Sequence, residues 1–131
     1  LLARPYLRPV YDDPRFIVRN LWRLYGGWYD GNPANLLPAP VGDLAGALSE
    51  LAGGAGNLLA RAQREAENER LDLACHLIEL ATQAEPDNIR LHQARAEIYR
   101  SRVKAESSLM SKGVFGAAAR DSEQKISKRD P

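Results

Sequence analysis

Apolar residues in this chain return every three or four positions, and paired glycines or a proline cut each run before it outgrows an ordinary helix. Asp13-Pro14 is a helix start, because the carboxylate accepts an orphan N–H and proline presets φ where its missing donor costs nothing. Phe16, Ile17, Leu21, Leu24 and Tyr25 then form one stripe, ended by Gly26-Gly27. Asp43 is expected to cap a second helix through Leu44, Ala47, Leu48 and Leu51, closed by Gly53-Gly54. Leu58, Leu59, Ala62 and Ala66 predict a third that fades near Asn68. Leu73, Ala74, Leu77, Ile78 and Ala81 predict a fourth, ended by Pro86 because the residue before a proline resists the α region. Asp87 is expected to cap a fifth carrying Ile89, Leu91, Ala94, Ile98 and Val103. Leu109, Met110, Val114 and Phe115 suggest a short amphipathic segment, and residues 121–131 read as a charged, frayed or disordered tail.

No stretch alternates β-branched with polar residues, so there is nothing from which to build a sheet. The expected fold is all-α, an antiparallel helical bundle forming one domain over residues 1–120, since 131 residues suit a single core. A partial repeat lies within it. If Pro86 ends a tetratricopeptide unit, Ala62, Ala74 and Ala81 fall where its two helices touch, and Ala96 and Tyr99 fit the next. That is roughly one and a half units, where such arrays need about three. A generic antiparallel helix pair fits the same residues.

The charge balance, 18 Lys+Arg against 17 Asp+Glu, offers no one-signed field, which disfavours nucleic acid as a partner. No apolar run reaches the roughly 20 residues of a membrane span, so the chain is expected to be soluble with no membrane partner, its compartment left open. It opens Leu1-Leu2-Ala3-Arg4-Pro5 without an initiator Met or a signal pattern, and reads as a piece of something longer. Cys75 is alone and, within a periodic helix, reads as a small buried hydrophobe. His76 and His92 belong to no zinc-binding spacing, so no metal or other cofactor is expected in this chain.

Residues 25–36 are the odd segment, with Trp28 and Tyr29 beside Asp30, Asn32 and Asn35. A plain surface loop has no need of two large aromatics. Either it is a self-packed Ω-type loop, or it contributes to a binding site or subunit contact.

Gly-Trp-Tyr-Asp-Gly-Asn-Pro-Ala-Asn-Leu at 27–36, with Leu37-Pro38 and later Leu51-Ala52-Gly53-Gly54, resembles the signature of the helical dimerisation region of alkyl sulfatases in the metallo-β-lactamase superfamily. The resemblance runs on through Leu73 and Pro86-Asp87-Asn88 to Ala96, covering the chain from about Tyr6 to Tyr99. That family commonly places Arg-Gly-x-Tyr-Gly before the first helix. Arg8-Pro9-Val10-Tyr11-Asp12 stands at the matching spacing, departing from it at Pro9 and Asp12.

The resemblance implies an enzyme of three parts: a catalytic domain with two zinc ions, this dimerisation domain, and a C-terminal sterol-carrier-like lid. The chain resembles the second part, and the family's His-x-His-x-Asp-His metal motif is absent from it. Arg8 and Tyr11 are then expected to reach the sulfate, the guanidinium fork suiting a tetrahedral oxyanion. On this reading the chain is the homodimerising, substrate-positioning domain of a zinc-dependent alkyl sulfatase, inactive alone. Self-association is expected through the stripe of Phe16, Ile17, Leu21 and Leu24 with Trp22 and Trp28 nearby. The alternative is a non-catalytic tetratricopeptide-like module that holds a peptide between helix pairs.

Overall fold

The computed structural model describes residues 10–128, which form six α-helices and one 3-10 turn. They are α1 (Pro14–Gly26), α2 (Val41–Leu51), α3 (Ala55–Glu67), α4 (Leu71–Ala84), α5 (Ile89–Ala105) and α6 (Leu109–Ser127), with the 3-10 turn at Pro33–Asn35. Among the described residues there is no strand, as the sequence predicts. From α2 onward the connections are three or four residues long, which turns α3 back on α4 and α5 back on α6 as packed helix pairs. α4 packs on α2, α3 and α5, and α6 lies along α5.

Alanines set the helix separation. Ala62, Ala74 and Ala81 are fully buried, letting the backbones of α3 and α4 approach while Leu58, Ile78, Leu91 and Ile98 fill the spaces between helix pairs. Tyr99 and Phe115 close the α5/α6 end, their ring centres 5.8 Å apart.

Helix ends explain where the chain turns. Asp13 Oδ1 accepts the Arg15 N–H at 2.8 Å, the cap the sequence predicts for α1. α2 ends in a Schellman arrangement: Gly54 N–H donates to the Ser49 carbonyl at 2.7 Å and Gly53 N–H to Glu50 at 2.9 Å. Gly53 takes φ 82°, and a Cβ there would stand 2.7 Å from Asn57 Nδ2. α3 ends the same way, with Arg70 N–H to Glu65 and Glu69 N–H to Ala66, but the left-handed position, φ 61°, is occupied by Glu69.

Three sequence expectations need correcting. α2 begins two residues before Asp43, with Pro40 in the cap position; the proline's fixed φ starts the turn, and Asp43 sits in the first turn. Asn88, not Asp87, caps α5, since its Oδ1 lies 3.1 Å from the Arg90 N–H, two residues on. The stretch from residue 121, expected as a frayed tail, continues α6 to Ser127. Side chains of α5 hold it: Arg95 donates to the Ala118 carbonyl at 2.7 Å and to Ser122 Oγ at 2.9 Å, and Arg100 pairs with Glu123 at 2.5 Å.

Candidate functional site

The first turn of any α-helix carries N–H groups without intrahelical partners. In α6 they are met from the far end of the chain. Leu109 N–H donates to the Val10 carbonyl at 2.8 Å, and Met110 N–H to that of Tyr11 at 3.1 Å. Ser108, 1% exposed, adds its hydroxyl to the Tyr11 carbonyl at 3.1 Å and accepts the Ser111 N–H at 3.3 Å. Tyr11 is thus clamped by its backbone while its side chain stays exposed, at 70%. Arg8 lies outside the described residues. Beyond Tyr11, the Arg15 guanidinium holds the Asp13 carboxyl down at about 2, through a contact of 2.6 Å.

The loop after α1 folds on its own polar groups. Asp30 accepts the Asn32 N–H at 2.9 Å and Asn35 Nδ2 at 2.6 Å, and Asn32 Oδ1 accepts the Ala34 N–H at 3.1 Å to cap the 3-10 turn. The Asn32 N–H and then the Asn35 amide keep the Asp30 carboxyl below its ordinary value. Gly31, φ 88°, supplies the reversal. The structure therefore brings Asp30, Asn32 and Asn35 together and leaves Trp28 and Tyr29 on the outside, edge to face at 6.1 Å. Tyr11 is tied to α6, and the loop residues are tied to one another.

Between α1 and the bundle lies a cleft of about 530 Å³, lined among others by Arg15, Phe16 and Arg19 on one side and Cys75, His76 and Tyr99 on the other. Burial pushes the Cys75 thiol up to about 11, so it is a poor thiolate. Burial first, and then the Glu79 carboxylate, raises the Tyr99 phenol. Among the described residues no three side chains of His, Cys, Asp or Glu gather into a group able to hold a metal ion, so the residues present do not fit a zinc site.

One polar network has no counterpart in the sequence reading. Glu79 accepts Arg95 Nε at 2.8 Å, Arg95 reaches Ser122, and Ser122 Oγ lies 3.1 Å from His92 Nδ1. His92 Nε2 lies 2.9 Å from the Pro86 carbonyl, which can only accept, so Nε2 donates to it. Its members lie on three helices and share no local spacing, so sequence periodicity holds no signal for them. His92 is a buried strut between α5 and α6.

Fold and site together define an all-α domain of helix hairpins with a clamped N-terminal segment and an outlying amphipathic helix. The alkyl sulfatase dimerisation family model matches residues 1–125, and the chain belongs to that family. The chain is 37% identical over 88 residues to the alkyl/aryl-sulfatase BDS1 of Saccharomyces cerevisiae, a match covering 67% of this chain and 13% of that protein. It is 38% identical over 58 residues to a linear primary-alkylsulfatase of a Pseudomonas species, covering 44% of this chain and 11% of that one. The chain thus corresponds to a small part of the length of each relative.

Proposed function

We propose that this chain is the dimerisation and substrate-positioning domain of a zinc-dependent alkyl sulfatase. Arg8 and Tyr11 contact the sulfate group, and the two zinc ions belong to a metallo-β-lactamase-type catalytic domain of the same polypeptide. No step of hydrolysis is assigned to residues of this chain. The observation that carries the reading is the clamp on Tyr11: a phenol on a fixed backbone and open to a neighbour is what a positioning contact requires. The names of the two relatives support sulfate esters of alkyl alcohols as the substrate class.

In the full-length protein carrying this chain, Arg8→Ala should lower kcat/KM on dodecyl sulfate by roughly a hundred- to a thousandfold, the usual loss of an oxyanion contact. Tyr11→Phe should cost less, and zinc content should not change in either variant. Values within about twofold of the parent for both would reject the assignment.

A tetratricopeptide-like interaction module is the second reading. It is favoured by the starts of α3 and α5, Ala55 and Ile89, which are 34 positions apart, the period of that repeat. Whether the parent gene encodes His-x-His-x-Asp-His separates the two.

A further inference from the structure

Ser108 stands where α6 begins, and its hydroxyl serves two segments at once. Its Oγ accepts the Ser111 N–H at 3.3 Å, as a helix cap does, and donates its own proton to the Tyr11 carbonyl at 3.1 Å. The side chain is buried, so water does not compete for either bond. The Tyr11 carbonyl also receives the Met110 N–H, and the Val10 carbonyl that of Leu109. Two residues beyond Tyr11, Asp13 caps α1, so the Tyr11 backbone is fixed from both sides. The phenol itself is exposed, and its place is therefore set by that backbone rather than by packing.

We propose that Ser108 is a positioning residue of the parent enzyme, fixing through the Tyr11 carbonyl the point from which the Tyr11 phenol meets the substrate. The inference rests on the sulfate-contact reading of Tyr11 above and adds to it a residue that touches no substrate. The bonds from Leu109 and Met110 are main-chain bonds, which any residue but proline supplies at those positions. The bond from Ser108 depends on residue type. Among the usual helix-capping residues, only Ser and Thr accept the helix N–H and donate onward with a single oxygen. Leverage on rate is large, since a misplacement of about 1 Å at a contact residue costs on the order of a hundredfold.

The test is a double-mutant cycle in the full-length protein carrying this chain, with kcat/KM on dodecyl sulfate as the readout. Ser108→Ala should lower kcat/KM about tenfold or more, with zinc content and helical circular dichroism unchanged. Added to Tyr11→Phe, it should change the value by less than about twofold, because a residue that acts through the Tyr11 hydroxyl then has nothing left to position. A merely structural serine would multiply its effect with that of Tyr11→Phe, and this result overturns the proposal. Full activity of Ser108→Ala beside an impaired Tyr11→Phe overturns it too, and leaves the Tyr11 reading standing. Tyr11→Phe at the parent's rate would bring down the Tyr11 reading first and the role of Ser108 with it. A Ser108→Ala variant that does not fold would make the serine a support of the whole domain, which also overturns the positioning role.

Discussion

Ser122 of α6 and His92 of α5, thirty residues apart, meet at 3.1 Å inside the last hairpin, and the same serine oxygen receives Arg95 at 2.9 Å. The buried His92 ring and the part-buried Arg95 guanidinium of α5 thus share one hydroxyl of α6.

Ser122→Ala should therefore destabilise the fold by about 1 to 3 kcal/mol, the usual result of stranding buried polar partners. Thermal melts of the chain read this directly. Truncation after Arg120 should cost at least as much, since it also removes Glu123 from Arg100. A tail without structure would leave the melting temperature unchanged.

Acid should unfold the domain through its carboxylates. Asp13 is held at about 2, and Glu65, gripped first by Arg61 and then by Arg70, also stays below its ordinary value. A carboxyl lowered by folding contributes stability that is complete above its unfolded value, near 4. That contribution is lost as pH falls through the folded one. Melting temperature should hold above about pH 5 and decline toward pH 2. Glu65→Gln should flatten part of that decline.

The two helix ends in the left-handed conformation should respond in opposite directions. Glu69→Gly removes the strain of a side chain at φ 61° and should stabilise the chain by about 0.5 to 1 kcal/mol. Gly53→Ala should destabilise it by about 1 kcal/mol or more, through φ 82° and the clash with Asn57. Urea titrations with an unchanged slope would confirm both as local effects.

Ser108→Ala should loosen the clamp on Tyr11. Amide exchange at Leu109 and Met110 should quicken, while the amides of α3 and α4 exchange as before. Uniform quickening across all helices would mean that Ser108 supports the fold globally.

The helices were legible because their apolar periodicity and their stops are local. Pro14, Gly27, Gly53 and Pro86 each act on the backbone beside them, and the structure bends there. The length of α6 was not legible. Residues 121–127 have little apolar periodicity, and their order comes from Arg95 and Arg100 on another helix, a tertiary cause with no trace in the local pattern. The loop was legible in part. Asp30, Asn32 and Asn35 were singled out by type, and the structure shows those polar atoms joined to one another. The outward turn of the apolar face of α1 was hidden as well, because periodicity identifies a face without saying toward what it is turned.

The contact between Ser108 and Tyr11 spans 97 positions of sequence, whereas the hairpins from α2 to α6 join near neighbours. Local hairpins close cheaply and early, while a loop of that length must give up more chain entropy for only a few hydrogen bonds. Folding should therefore assemble the bundle first and latch the N-terminal strap onto α6 last. The strap is also the piece that can come undone while the rest stays folded. The chain thus behaves as a finished scaffold with a late-setting clasp, and the clasp holds Tyr11.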